Sequence, residues 1–229
     1  MKQISFLRAL FVVFKKDLLL EWKTRTRIQS VLFFGILILL MFSFAVGPNS
    51  KILGQLAAGF FWLALLFSSS MSLSESLRYE RDNEALDGQL LLGVHPAAVF
   101  VAKSLSTTLV LWLLTWIFLP ICVALFDVGI TGSYLTLALT LMLGCTAMAA
   151  PGTLYATLAS YVRAKDLVLP LLLFPILIPV IIACVKATSL LITGDPMSEW
   201  YFWCQVLCLF NGIFWSLGAV LFAKILDNT

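Results

Sequence analysis

The stretch AAVFVAKSLSTTLVLWLLTWIFLPICVALF, residues 97–126, decides the fold class of this chain. Its only charged side chain is that of Lys103, close to the start of the stretch. About 20 consecutive apolar residues cross the hydrocarbon core of a bilayer as an α-helix. The stretch therefore predicts a transmembrane helix, and one long enough to tilt or to extend past the lipid.

Similar apolar runs lie on both sides of this one. The predicted spans are residues 28–46, 55–73, 97–126, 134–160, 168–192 and 200–223. The chain is 61% hydrophobic and 12% charged, with a mean hydropathy of +1.01, which lies far outside the range of soluble domains. We therefore expect an all-α integral membrane protein, with residues 1–229 forming a single domain of six transmembrane helices and no soluble catalytic domain.

The positive charges predict how the spans are oriented. Short loops rich in Lys and Arg stay in the cytoplasm, and an even number of spans places both termini on one side. With cytoplasmic termini, 13 of the 15 Lys and Arg residues lie inside and only Lys51 and Lys186 lie outside. We therefore expect both termini in the cytoplasm.

Residues 1–27 are predicted to form an interfacial helix. One side of this helix is apolar, with side chains recurring at spacings of three and four: Ile4, Leu7, Phe11, Phe14, Leu18 and Trp22. Arg8, Lys16 and Lys23 lie away from that side. Such a helix lies in the headgroup layer with its cations toward anionic lipid. The alternative is a cytosolic tail whose charge only fixes topology, and the apolar periodicity favours the helix.

The familiar catalytic and nucleotide-binding motifs are absent from the sequence. It contains no G-x-x-x-x-G-K-[ST] phosphate-binding loop, no H-E-x-x-H and no G-x-S-x-G, so no catalytic residue is assigned. The only histidine, His95, is a weak candidate for a haem or metal ligand. Because Pro96 follows it, the sequence favours a turn residue at a helix start.

The cysteines do not form a metal or redox motif. All five lie in or at the edge of apolar spans, and none belongs to a C-x-x-C pair. Cys204 and Cys208 share a helix face and could form a metal pair, but helix packing is the favoured interpretation. No metal site is therefore predicted.

Proline occurs inside two of the spans. The fourth contains Pro151-Gly152, and the fifth contains Pro170, Pro175 and Pro179. Each proline removes a backbone donor and crowds the preceding turn. We therefore expect kinked or locally unwound helices here, which in a transporter are candidate hinges and otherwise adjust packing. No well-placed Asp, Glu or His lies deep in a span, so any driving energy is expected to come from another polypeptide.

The charged segment 75–95, between the second and third spans, is the candidate partner-binding element. Glu80, Glu84 and Asp87 form an acidic stripe at spacings of four and three, and three leucines form an apolar side. This predicts a short cytoplasmic coupling helix that a soluble partner could grip, although a solvated loop helix is the alternative. The candidate contacts are Glu80, Arg81, Glu84, Leu86, Asp87, Leu90 and Leu91.

Three stretches resemble a known family. ERDNEALDGQLLLGVHPAAVFVAK resembles the segment after the second span in ABC-2 exporter permeases. FAVGPNSKILGQLAAGFFWLALLFSSSMSL and AAPGTLYATLASYVRAKDLVLPLLLFPILIPVIIA are similar to the CcmB family, the membrane subunit of the haem exporter used in cytochrome c maturation. The chain departs from many members at Ala58 and Gly93, where they have proline. The second departure affects the end of the coupling helix.

The resemblance implies an assembly in the bacterial inner membrane. Two copies of this chain would sit on two copies of an ABC ATPase subunit, beside a haem-handling membrane protein, a small single-span subunit and a periplasmic haem chaperone. ATP would be used by the partner, and haem would be the cargo or would be released with the chaperone. Membrane lipids are implied partners and nucleic acid is not. Two alternatives stay open: an ABC-2 permease for a lipid-linked sugar or a drug, and an assembly subunit without a transport role.

Overall fold

The computed structural model describes residues 6–23, 25–47, 49–82, 95–160, 165–195 and 197–227. These ranges contain helices and connections and no strand. The helices are α1 (Phe6–Lys23), α2 (Arg25–Val46), α3 (Ser50–Asp82), α4 (Pro96–Phe126), α5 (Tyr134–Ser160), α6 (Lys165–Thr193) and α7 (Trp200–Asp227).

Six of these helices, α2 to α7, are long and apolar enough to cross a membrane. Their apolar parts are Ile28–Val46, Ser50–Ser76, Pro96–Phe126, Tyr134–Ala159, Leu169–Thr193 and Trp200–Lys224. Most predicted boundaries agree with these to within one or two residues, and the second span is longer than predicted at both ends. The prediction of an all-α membrane protein with six spans is confirmed.

Helix α5 lies at the centre of the bundle, where it packs against α3, α4, α6 and α7. In its most apolar window 61% of the residues are buried, against 17% for α2 and for α7 at the periphery. Many of its buried residues are small: Ala147, Ala149, Ala150, Ala156 and Ala159. Small residues let membrane helices approach closely, and van der Waals packing then holds them together.

Trp62 joins three helices in the middle of the bundle. It is fully buried, and its Nε1–H donates a hydrogen bond of 2.9 Å to Thr188 Oγ1 on α6. Its ring covers Gly144 on α5, where a methyl group would collide with Trp62 Cη2 and lie 2.8 Å from Cys184 Sγ. The absence of a side chain at Gly144 therefore lets α3, α5 and α6 meet here.

The connection between α4 and α5 is tied to the C-terminal end of α6. The backbone N–H groups of Thr131 and Gly132 donate to the Leu191 carbonyl at 3.0 and 2.9 Å. The Thr131 hydroxyl also donates to the Leu191 and Ile192 carbonyls, at 3.0 and 3.2 Å. These bonds satisfy carbonyls that have no partner within their own helix. They place the α4–α5 connection and the end of α6 on the same side of the bundle.

The prolines do not interrupt their helices. α5 is continuous through Pro151, and α6 is continuous through Pro170, Pro175 and Pro179. This continuity leaves the predicted kinks at these positions a prediction. Each proline removes one backbone donor and crowds the preceding turn, which can bend a helix without ending it. A further proline inside a helix, Pro120 in α4, behaves in the same way.

Helix α1 has two apolar strips. Ala9 and Val13 are buried on the side that packs against α4. Leu7 and Phe11, which belong to the predicted apolar line, are 73% and 63% exposed. The protein-facing strip was not predicted, because Ala9 and Val13 lie on the helix face opposite the line of larger apolar side chains. The exposed strip is available to acyl chains, as an interfacial helix requires.

Candidate functional site

The candidate site is the end of the bundle where α3 ends and α4 begins. Helix α3 runs without a break from Ser50 to Asp82, so Glu80 and Arg81 lie on the last turn of the second span's own helix. The separate coupling helix expected from the sequence therefore does not include these two residues. The physical reason is local: the stretch SESLRYERD, residues 74–82, contains neither Gly nor Pro and is rich in residues that tolerate or favour a helix.

The central part of the predicted partner-binding segment lies outside the described residues. This applies to Glu84, Leu86, Asp87, Leu90 and Leu91. The acidic stripe and its leucine side therefore stay a prediction.

His95 begins the next helix. Its backbone is extended, with φ −64° and ψ 124°, and its Nδ1 accepts a hydrogen bond of 3.3 Å from the Ala97 N–H. The His95 carbonyl accepts from the Ala98 N–H at 2.9 Å, and Pro96 is the first helical residue. These are the contacts of a helix N-cap followed by a proline suited to that position. The exposed imidazole also lies edge-on to the Phe6 ring of α1, with the centroids 6.0 Å apart.

The first turns of α4 are held by a group of residues that we call the Phe100 cluster. Its buried members are Val13, Val99, Phe100, Ala102, Ala150, Leu154 and Phe222. The Phe100 ring is fully buried, 5.7 Å from the Phe222 ring and 6.4 Å from the Trp215 ring, measured between centroids. It covers Gly218, where a methyl group would collide with Phe100 Cζ. The cluster therefore joins α1, α4, α5 and α7 directly beyond His95.

The C-terminal half of α3 packs against α5 at a different place, where Leu73 contacts the predicted hinge pair Pro151-Gly152. Pro151 and Gly152 are buried in α5, and a methyl group at Gly152 would lie 2.7 Å from Leu73 Cδ1. Leu73 is nine residues before Asp82, which corresponds to about 14 Å along a helix. Gly152 therefore permits a close approach of α3 and α5 near the candidate site.

The other predicted hinge prolines do not share this location. Pro175 and Pro179 are exposed on the outer side of α6, and Pro170 is half-buried. The predicted hinge residues therefore differ in exposure. The pair in α5 is buried, Pro175 and Pro179 in α6 are exposed, and Pro170 is intermediate.

Sequence reasoning missed a set of buried polar side chains at this end of the bundle. They are Ser68, Ser69, Ser70 and Ser72 on α3, Lys103, Ser104, Ser106 and Thr108 on α4, and Thr153 and Thr157 on α5. Some hydroxyls donate to carbonyls of their own helix, as Ser69 does to Leu66 at 2.7 Å. The hydroxyls of Ser68, Ser104 and Ser106 have no hydrogen-bond partner among the described atoms.

Two runs in the sequence could have indicated these buried polar side chains. The runs SSSMSLSES and KSLSTT, residues 68–76 and 103–108, place many hydroxyls inside otherwise apolar spans. Polar groups buried at membrane depth are costly unless they are satisfied, and for that reason they often mark functional regions. The runs therefore point to the same end of the bundle as the charged segment does.

A cavity of about 500 Å³, which we call the α2/α6 groove, lies on α3 between α2 and α6. Its polar lining consists of Ser70, Ser74 and Glu75, all on α3. Its apolar lining includes Phe34 of α2, Phe67 of α3 and Phe174 of α6. No part of the groove was predicted from the sequence, because its walls come from three separate spans.

The cysteines lie in packing positions. All five are free, and Cys122, Cys145 and Cys184 are buried. Cys145 Sγ lies 3.3 Å from Thr115 Oγ1. Within the described ranges, no three or more His, Cys, Asp or Glu side chains come together in a way that could hold a metal ion.

The fold and this site define a multi-pass α-helical membrane protein whose six spans form one bundle with α5 at its centre. The charged connection between its second and third spans joins two helices that are each anchored in the bundle.

Comparisons with known proteins give the family. The family model described as CcmB protein matches residues 8–223, and the chain belongs to that family. Heme exporter protein B of Pseudomonas aeruginosa is 32% identical over 76% of this chain and 77% of its own length. The protein of the same name from Haemophilus influenzae is 29% identical, over 74% and 76%. That from Bradyrhizobium diazoefficiens is 32% identical, over 73% and 74%. The family resemblance found in the sequence is confirmed.

Proposed function

We propose that this chain is the membrane permease subunit of an ABC transporter for cytochrome c biogenesis. It couples ATP hydrolysis by a separate ATPase to haem export, or to release of a haem chaperone, at the periplasmic side. The observation that carries this proposal is the family match over residues 8–223, together with relatives named Heme exporter protein B.

The anchoring of α3 and α4 supports the coupling role. Near the connection, α3 packs through Leu73 against Gly152, and α4 packs through Phe100 against Gly218. A partner that displaced the connecting segment would therefore move two helices that are packed against the rest of the bundle. In this proposal Pro151, Gly152, Pro170, Pro175 and Pro179 mark the places where α5 and α6 bend.

The proposed assembly contains two copies of this chain and two ATPase subunits in the bacterial inner membrane. Further partners are a haem-handling membrane protein, a small single-span subunit and a periplasmic haem chaperone. ATP is bound by the ATPase partner, and haem is the cargo of the complex or is released with the chaperone. No residue of this chain is assigned to either, since His95 already serves as a helix cap.

The proposed orientation can be tested with reporter fusions. We expect a periplasmic signal from fusions after Lys51, Thr131 and Gly194, and a cytoplasmic signal from fusions after Asn83, Lys165 and Asp227. The expectation rests on the distribution of Lys and Arg and on the six spans. A cytoplasmic signal after Thr131 would contradict it, because α4 would then not cross the membrane.

Charge reversal in the connecting segment tests the coupling role. The double change Glu84→Lys with Asp87→Lys is expected to leave the chain inserted and to lower recovery of the ATPase in a pull-down by about tenfold or more. Removing charge complementarity at a partly desolvated contact costs a few kcal/mol. Loss of c-type cytochromes should accompany the loss of the ATPase.

Glu199→Lys is the matched control for this charge reversal. Glu199 is exposed, and it lies immediately before α7, at the opposite end of the bundle from the candidate site. Its reversal should leave ATPase recovery unchanged. Normal recovery of the ATPase with the double change would show that the acidic stripe is a solvated face. The contact would then have to be sought at Leu86, Leu90 and Leu91.

A further inference from the structure

Two polar side chains of α7 are bonded to the part of α5 that contains Pro151. Asn211 Nδ2 donates a hydrogen bond of 3.1 Å to the Leu143 carbonyl. Trp215 Nε1 donates one of 3.3 Å to the Thr146 carbonyl. We propose that Asn211 and Trp215 are positioning residues for a hinge in α5: their bonds hold α5 in its present shape, and α5 bends at Pro151 only when they open. This inference rests on the hinge role proposed above for that position.

This part of α5 has a weakened backbone ladder. Pro151 has no N–H, so the Ala147 carbonyl four residues earlier receives no donor from that position, and the proline ring crowds it. The hydroxyls of Thr146 and Thr153 donate to carbonyls four residues earlier in the same helix, at 3.1 and 2.8 Å. Such bonds from threonine to its own helix favour bending. We therefore expect α5 to bend within residues 146–153.

Helix α7 is attached to α5 on both sides of Pro151. The bonds from Asn211 and Trp215 lie before it, because they end at carbonyls eight and five residues earlier in the chain. Beyond it, Phe222 of α7 and Leu154 of α5 are buried together in the Phe100 cluster. A bend at Pro151 would move these two parts of α5 relative to α7. The hydrogen bonds are the attachment that opens, because the cluster is also held by α1 and α4.

Asn211 lies at a depth where an amide is costly. It is 11 residues from Trp200 and 13 from Lys224, which begin and end the apolar part of α7. Its Nδ2 also donates to the Leu207 carbonyl at 2.9 Å, while its Oδ1 is buried and has no hydrogen-bond partner among the described atoms. An unpaired buried oxygen lowers stability, and a leucine would avoid that cost. Packing alone therefore does not account for Asn211, whereas its bond to Leu143 does.

A displacement of α3 would reach α5 beside this hinge. Leu73 of α3 lies against Gly152, the residue that follows Pro151. In the proposed coupling role, the bonds from Asn211 and Trp215 therefore set how readily a displacement of α3 bends α5.

Amide hydrogen exchange of the full chain in lipid nanodiscs tests the inference. Trp215→Phe removes the indole N–H and keeps an aromatic ring. We expect exchange within residues 147–153 to become faster by about threefold or more, the factor that corresponds to a hydrogen bond at the low end of the usual range. Asn211→Ala should act in the same direction, because it removes the bond to the Leu143 carbonyl. Unchanged exchange in both variants would overturn the inference.

Trp200→Phe is the matched control. Trp200 Nε1 donates to Thr140 Oγ1 at 2.8 Å, so this change also removes a hydrogen bond between α7 and α5, but one that ends 11 residues before Pro151. Exchange within residues 147–153 should then stay unchanged. If Trp200→Phe made it as fast as Trp215→Phe does, the bonds would only hold the two helices together, and the inference would be wrong.

Pro151→Ala completes the test. It returns an N–H to the Ala147 carbonyl, so α5 should no longer bend easily at this position. In this background Trp215→Phe should not make exchange within residues 147–153 faster. A full effect of Trp215→Phe in this background would overturn the inference, because the bond would then act independently of the hinge.

Pro151→Ala by itself tests the hinge role on which the inference rests. In cells that contain a normal amount of this variant, we expect lower levels of c-type cytochromes. Normal levels would overturn the hinge role and the inference with it. Lower levels, together with a full effect of Trp215→Phe on exchange, would overturn only the role given to Asn211 and Trp215. The permease role is tested separately, by recovery of the ATPase in the pull-down.

Discussion

Replacing Gly144 by alanine is expected to prevent the bundle from assembling, or to lower its free energy of unfolding by about 3 kcal/mol, the upper part of the usual range for overpacking. The added methyl group would collide with Trp62 Cη2 and lie 2.7 Å from Trp62 Cζ3 and 2.8 Å from Cys184 Sγ. The indole cannot easily turn away, because its Nε1–H is bonded to Thr188 in a fully buried position. Thermal unfolding of the purified chain in detergent measures the effect.

Two further variants sharpen this test. Gly59→Ala also adds a methyl group to a helix glycine, but nothing lies within 4 Å of that position. Stability there should be unchanged or slightly raised, because alanine favours a helix more than glycine does. Adding Trp62→Phe to Gly144→Ala removes the colliding part of the indole. The double change should therefore cost at least about 1 kcal/mol less than the sum of the two single changes. Additive costs would show that the contact between position 144 and the Trp62 ring does not cause the loss of stability.

Replacing Phe100 by alanine is the second change with a large expected effect. The ring is fully buried against Phe222, Trp215 and Gly218. Its loss leaves a cavity in the Phe100 cluster, and Phe-to-Ala changes in packed cores cost about 3–5 kcal/mol. Since Val13 of α1 packs into the same cluster, we also expect α1 to detach more easily. Amide hydrogen exchange in α1 should become faster by about tenfold or more, while exchange in the middle of α5 changes less.

Phe33→Ala is the matched control for Phe100→Ala. Phe33 is 65% exposed on α2, so its loss removes few contacts within the bundle. We expect little change in stability and no change in α1 exchange. If the two variants behaved alike, the Phe100 cluster could not be what fixes α1 and the start of α4.

The spans could be predicted because each is decided by its own local composition. The stretch around Leu111 is apolar enough to cross a bilayer whatever surrounds it, and His95-Pro96 marks a helix start by itself. The structure agrees on both. Family membership was visible for a similar reason, since it rests on consecutive residues such as Gly47-Pro48 and Pro151-Gly152.

Contacts between helices could not be predicted in the same way. Trp62 and Thr188 are separated by 126 residues, and no periodicity in either span indicates that they meet. The sequence around Gly144 is like that around many glycines in helices. The need for a glycine at this position becomes clear only from the Trp62 indole that packs against it. The prolines predict a local bend, and the helix is continuous through Pro151.

Helix α3 is continuous from Ser50 to Asp82, and this continuity has a mechanical consequence. Its 33 residues correspond to about 50 Å, against about 30 Å for the hydrocarbon core. Between Asp82 and Trp62 it contains neither Gly nor Pro, so no flexible joint interrupts about 30 Å of helix. In the proposed coupling role, a displacement of the connecting segment would therefore be transmitted along α3 to the Trp62 indole and to its hydrogen bond with Thr188 on α6.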